Sequence, residues 1–398
     1  MDTDRRVVVG AAIEREGRIL SARRTDPPSM AGGWEFPGGK VEPGESETAA
    51  LVRECHEELG ATVRLRQRVG PDTPLPNGRV LKVWLAELVD QPGTPAEPKP
   101  LIDHDALRWL APEALSSVAW LPADWPIVHA LAEHFLDAVA LPGGRVGGAV
   151  RIGDTVRRPT GVWTPAVHAL IEHVSAAGVA GVPDLLGFDA GGREVYRFVP
   201  GQTVGDADPT PAAFVQPGLV AQVGAWLRSL HDASATFPAS EREWRRGRLR
   251  RGPGSVICHN DVSPNNIVVD AAGSLAAVLD WDMAAPGNPR DDLAFAAWQF
   301  VLRQGLPPER EIDGLLALVD GYGGPPADPV AVLDRVAPRL RGAVRFMRRG
   351  AAAGDAGLQR LLTTGVPEAT EAGLHAVLDR RDDLVRRLHR RSAGAGHQ

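Results

Sequence analysis

Gly39-Lys-Val-Glu-Pro-Gly-Glu45-Ser-Glu-Thr-Ala-Ala-Leu-Val-Arg53-Glu54-Cys55-His56-Glu57-Glu58-Leu59-Gly60 is the stretch that decides how this chain is read. A turn-rich opening runs into a segment expected to be helical, which closes on a glycine. Glu54, Glu57 and Glu58 stand at i, i+3 and i+4, so they project from one helical face. Three carboxylates on one face repel one another unless positive charge sits among them. An all-oxygen donor set suits a hard cation such as Mg²⁺ or Mn²⁺. A solvated acidic face is the competing explanation for such a run. The spacing G-x5-E-x7-R-E-U-x-E-E-x-G argues against it, since its chance occurrence at a given start is roughly 10⁻⁸.

Working outward, 398 residues exceed one ordinary domain, and two or three are expected. The net charge of −6 and the lack of a basic run give no reason to expect nucleic-acid or membrane affinity. Residues 1–140 hold 15 basic and 22 acidic side chains, so the acidic excess belongs with the glutamate cluster. Cys55 and Cys258, far apart in sequence, point to a reducing compartment rather than a disulfide framework. No signal-peptide pattern or bilayer-length apolar run is seen, and a soluble cytoplasmic protein is expected.

Strands are expected at Arg6–Ile13 and Arg18–Ala22 around a Glu16-Gly17 turn, then at Val63–Val69, Val80–Leu88 and Ala106–Leu110. Gln91–Pro100 reads as a loop, and Pro126–Val139 as an apolar helix. A hinge at Leu141–Gly144 places the domain boundary near residue 140, giving domains 1–140 and 141–398. Beyond it come strands at Ala149–Ile152, Thr155–Arg158 and Glu194–Val199, and a helix at Thr164–Ala177. From Pro217 onward the chain reads as mostly helical, with short strands Ser255–Cys258 and Leu275–Leu279. The Arg-rich stretch Glu241–Arg251 reads as a solvated helix face or a frayed end. The fold class is α+β.

Glu35-Phe36-Pro37-Gly38-Gly39-Lys40 and the spacing above resemble the MutT-type branch of the Nudix hydrolases over roughly residues 5–135. The resemblance implies an α/β/α sandwich with a mixed sheet. It also implies Mg²⁺-dependent hydrolysis of nucleoside triphosphates, 8-oxo-dGTP or a related (d)NTP, to the monophosphate and pyrophosphate. The implied metal ligands are the Gly38 carbonyl, Glu54, Glu57 and Glu58, with Arg53 orienting the carboxylates. Asp103, six residues before Trp109, matches a downstream acidic ligand or base. Arg24 and Lys40 are expected on phosphate, and Phe36 and Asp124 at the substrate. Pro122-Ala123-Asp124 departs from the family's Pro-Ala-Asn. An ionised Asp only accepts hydrogen bonds, so the base preference stays open among 8-oxo-guanine, another purine and cytosine.

His259-Asn-Asp261-Val-Ser-Pro-Asn-Asn266, followed by Val278-Leu279-Asp280-Trp281-Asp282, resembles the aminoglycoside phosphotransferase-like branch of the protein-kinase superfamily over roughly 141–395. That implies a bilobal fold binding ATP and Mg²⁺. Asp261 would take the proton of an acceptor hydroxyl, Asn266 and Asp280 would hold Mg²⁺, and His259 and Asp292 would brace the loop. Trp226–His231 reads as core, and His168 as a packed histidine. No lysine follows Lys99, so Arg157 or Arg158 is expected on the ATP phosphates, with Glu172 as helix partner. Gly143–Gly148 is expected to cover them. Two functions follow: a hydrolase fused to a small-molecule phosphotransferase, or a hydrolase carrying a non-catalytic nucleotide-binding regulatory module. The acceptor is not legible in the sequence.

Overall fold

The computed structural model describes residues 7–90, 96–141, 148–207, 216–238, 242–247, 252 and 254–395. The strand β1 (Val7–Arg15) turns through Glu16 and Gly17, both at positive φ, into β2 (Arg18–Arg24). Then come β3 (Trp34–Glu35), β4 (Gly38–Lys40), helix α1 (Glu47–Leu59), β5 (Val63–Pro74), β6 (Val80–Leu88), β7 (His104–Leu110) and helix α2 (Trp125–Phe135). The sheet runs β3-β2-β1-β6-β5, with β4 on β1 and β7 on β2. β1 pairs with β6 in parallel and with β2 and β4 antiparallel, so the sheet is mixed.

Alternation along β1 explains the layers. Val9, Ala11 and Ile13 pack with Ala50, Leu51, Cys55 and Leu59 of α1. Ala12, between them on the other side of the pleat, packs with Ile127 and Leu131 of α2. A sheet apolar on both faces needs a helix on each, which is the sandwich expected from the sequence. α1 starts where the Ser46 side chain accepts the Ala49 N–H at 3.1 Å, and it ends on Gly60 at φ 63°.

The expected helix to Val139 stops at Phe135. Val139–Ala140 is instead a short strand paired with Val150–Ile152, a partner that outweighs local periodicity. The chain divides into two compact units that interleave along the sequence. One is Met1–Pro142, Gly148–Pro159 and Leu186–Phe198; the other is Gly143–Gly147, Thr160–Leu185 and Val199–Gln398. The expected hinge and glycine loop fall largely on residues 142–147, outside the described residues, as do residues 91–95 of the proline-rich loop. Within the first unit, the sheet strands Thr155–Arg158 and Glu194–Arg197 pair antiparallel, and Ile152 joins the core that α2 seals.

The second unit is mainly helical. Helices Pro217–Ser234 and Pro308–Tyr322 meet backbone to backbone. A Cβ on Gly224 would lie 2.2 Å from the Leu318 carbonyl oxygen, and one on Gly321 would lie 2.1 Å from that of Ala221. Longer helices follow at Pro329–Ala352 and Val366–Ala395. Among the described residues, no helix is long and apolar enough to cross a membrane.

Candidate active sites

The first site is built on α1 and the β4 loop. Arg53 lies along the acidic face and reaches four acceptors. Its guanidinium donates to Glu45 at 3.1 and 3.2 Å, to Glu54 at 3.0 Å, to Glu57 at 3.2 Å and to the Lys40 carbonyl at 3.1 Å. Hydrogen bonds from Glu45 and Glu54 hold Arg53 firmly protonated, and its charge offsets the repulsion along the face. Glu58 points inward, accepts the Gly38 N–H at 2.8 Å, and burial pushes its pKa up to about 7. Glu54 folds over the β4 backbone: a Cβ on Gly39 would sit 2.3 Å from the carboxylate carbon, so a larger residue there would push the Glu54 side chain aside.

Two residues the sequence reading passed over complete this site. His104 is buried, with Nε2 3.0 Å from Glu35 Oε1 and Nδ1 3.9 Å from Glu58 Oε2. Glu35 also accepts from Arg24 at 2.7 Å, so Arg24, expected on phosphate, is held beside the carboxylates. The available signal was a histidine flanked by Asp103 and Asp105, but nothing local says which glutamate it meets. Asp103 itself is exposed, at φ 60°, and its carbonyl accepts the Thr25 N–H at 2.8 Å. Lys40 is exposed, whereas Phe36 is buried against Trp120 with ring centroids 4.7 Å apart. Asp124 is also buried and accepts the Phe36 N–H at 3.2 Å. Burial, then Glu35, raises its pKa well above the usual carboxylate range.

The donor set fits a hard divalent cation. Carboxylates share the face, and burial raises the Glu58 pKa to about 7, so a cation beside it would favour its ionised form. Gly38, Glu54, Glu57 and Glu58 would hold it. Their oxygens are not drawn into one cage. Among the described residues, the trio of such donors whose atoms lie within 4.8 Å of one another is His231, Cys258 and Asp292.

That trio is a structural hub of the second site. Asp292 is fully enclosed and accepts the N–H groups of His259 at 2.8 Å and Asn260 at 2.7 Å. His231 Nε2 lies 3.0 Å from the same carboxylate, and its Nδ1 lies 3.0 Å from the Tyr322 hydroxyl. Cys258 donates to the Asn288 carbonyl at 3.2 Å. Each member already has a structural partner. His259 Nδ1 accepts the Asp261 N–H at 3.3 Å, and burial lowers the pKa of this imidazole. Asn266 donates to the carbonyl and the carboxylate of Asp261 at 2.8 and 3.0 Å. Burial, then Asp280, pushes the Asp261 pKa up to about 8. The Asp280 charge raising Asp261 beside the Asn266 amide again suits a divalent cation.

The Arg-rich stretch is corrected by the structure. Its described residues 242–247 are not helical, Trp244 is buried, and the Arg245 side chain is only 7% exposed. Arg245 meets Asp355 at 3.1 Å and Asp282 at 3.5 Å, lies over Trp163, and lines a cavity with Asp261 and Asp280. Residues 241 and 248–251 lie outside the described residues. Arg157 is enclosed in the first unit, 3.9 Å from Glu133 of α2, with Nη1 donating to Thr155. Arg158 is partly exposed and lies 3.7 Å from Glu194. Glu172 is exposed, and His168 is buried.

Residues 4–131 match the NUDIX domain model, and residues 241–327 match that of the Phosphotransferase enzyme family. The chain is 43% identical to the "Putative 8-oxo-dGTP diphosphatase 2" of Mycobacterium tuberculosis, over 30% of this chain and 82% of that protein. It is 41% identical to the CTP pyrophosphohydrolase of Escherichia coli, over 31% of this chain and 88% of the relative. Against the trifolitoxin immunity protein of Rhizobium leguminosarum bv. trifolii it is 36% identical, over 41% of this chain and 61% of that protein's length.

Proposed function

The chain belongs to the Nudix family through residues 4–131, and on that premise we propose a Mg²⁺- or Mn²⁺-dependent hydrolysis of nucleoside triphosphates to monophosphates and pyrophosphate. The observation that carries it is the set formed by Arg53 on Glu45, Glu54 and Glu57, with Glu58 fixed by the Gly38 N–H. The bound cation would polarise a phosphate and lower the pKa of a water. Arg53 keeps Glu54 and Glu57 oriented, Lys40 and Arg24 face phosphate, and the mixed sheet holds Gly38 against α1. Asp124, whose Oδ1 accepts the Phe36 N–H and whose carboxyl pKa burial pushes well above the usual range, would supply base contacts.

A panel of (d)NTPs including 8-oxo-dGTP and CTP, read by pyrophosphate release, tests this. Silence across the panel overturns it. Glu57→Gln should lower kcat about a hundredfold or more at unchanged fold, and wild-type turnover in that variant would place the metal elsewhere.

For the remainder, 141–398, an ATP-dependent small-molecule phosphotransferase is the reading, supported by Asp261, Asn266 and Asp280 around one cavity. The acceptor hydroxyl oxygen attacks the γ-phosphorus, the β–γ bridging P–O bond breaks, ADP leaves, and Asp261 takes the hydroxyl proton. Asp280→Asn should abolish ATP consumption. Enclosure of Arg157 favours a second reading, a non-catalytic nucleotide-binding module. Thermal stabilisation by ATP and Mg²⁺ without ADP release on any acceptor would select it.

A further inference from the structure

We propose that the cavity beside Asp261 takes a hydroxylated acceptor bearing an anionic group on an apolar body, and rejects polycationic acceptors. This rests on reading Asp261 as the group that receives the acceptor's proton. The cavity lies within the second unit and measures about 620 Å³, room for a mid-sized organic molecule. Its acidic lining residues, among those described, are Asp261, Asp280 and Asp282. The first two belong to the transfer machinery, and Asp282 already meets Arg245 at 3.5 Å. No carboxylate is left among the described lining residues to grip the ammonium groups of a polycation.

Cations are plentiful there instead. Arg245, Arg246, Arg303 and Arg339 all line the cavity. Arg246 donates to the Asn260 side chain at 3.0 Å and Arg339 to the Asn260 carbonyl at 2.7 Å, so two guanidiniums converge on the residue preceding Asp261. Converging buried cations are costly without a counter-charge. The Nε atoms of Arg245 and Arg339 are buried with no hydrogen-bond partner. Each of three arginines also lies over a ring: Arg339 over Phe295 at 4.7 Å, Arg303 over Trp298 at 5.6 Å and Arg246 over Phe346 at 6.0 Å. Alternating guanidinium and aromatic surface suits a molecule with an acidic end and an apolar body.

A matched pair of probes decides it. 10-Hydroxydecanoate and 10-amino-1-decanol share chain length and hydroxyl but carry opposite charges. With the full chain, Mg²⁺ and ADP, calorimetry should show the carboxylate bound at least about tenfold tighter. Arg246→Gln should narrow that ratio, and so should Arg303→Gln, whose guanidinium donates to Gln299 at 2.7 Å. Equal or reversed affinities, or binding of neither probe, overturn the proposal. So does an unchanged probe ratio in both variants with weakened ADP binding, which would assign the arginines to nucleotide phosphate. Mg²⁺-ADP binding is measured in the same experiment; its absence would sink the phosphotransferase reading while the probe ratio still reports on the cavity.

Discussion

The acidic helix of the first unit and the His259–Asn266 loop of the second both concentrate negative charge, and they manage it by different means. At α1, Glu54 and Glu57 on the helix and Glu45 just before it share one partly exposed guanidinium that belongs to the same short stretch. In the second unit, Asp292 is enclosed, and its partners are the backbone N–H groups of His259 and Asn260 together with His231. A neutraliser carried by the same helix can be removed with little loss of fold. When the neutraliser is the loop backbone itself, charge, loop geometry and stability form one quantity.

The sharpest way to break that contrast is Asp292→Ala. Removing one member of a buried, hydrogen-bonded set should cost about 3–5 kcal/mol in urea unfolding of the full chain. A cost below about 1 kcal/mol would place the loop's support elsewhere. Next in size is a response to acid in the first unit. His129 is buried, lies 3.3 Å from the Leu186 carbonyl, and faces Arg157 and Asp189. Burial, then Arg157, lowers its pKa to about 4. The folded state therefore keeps it neutral while the unfolded chain takes a proton below about 6.5. Stability should fall as pH drops from about 6.5 to about 4, by about 3 kcal/mol, and His129→Gln should flatten that slope in urea midpoints. An unchanged slope in the variant would rule the residue out. Smallest is Arg53→Ala, which should lower kcat for nucleotide hydrolysis about 10–100-fold. If its unfolding free energy fell by more than its activation term rose, Arg53 would join Asp292 and the contrast would fail.

Legibility followed the same division. The glutamates of α1 and Arg53 lie within one stretch, so their shared helical face was legible from spacing. The five longer strands of the first sheet were also legible from alternation, since they bury opposite faces against two helices, whereas β3 and β4 are too short to show it. His104 and Glu35 were missed because they are 69 positions apart, and only the pairing of β2 with both β3 and β7 brings them together. Arg245 was misread because an arginine run looks solvated until Asp282, Asp355 and Trp163 are placed around it. Arg339 sits in a helix otherwise rich in surface arginine, and nothing in its neighbours marks it as the one turned inward.

The glycine contact between Pro217–Ser234 and Pro308–Tyr322 has a reach beyond packing. His231 lies in the last turn of the first of these helices and Tyr322 ends the second, and their 3.0 Å link positions the imidazole that steadies Asp292. Methyl groups at Gly224 or Gly321 would act as a wedge, prising the helices apart and slackening the His259–Asn266 loop from behind. The loop's alignment is thereby set by two residues that no substrate ever meets.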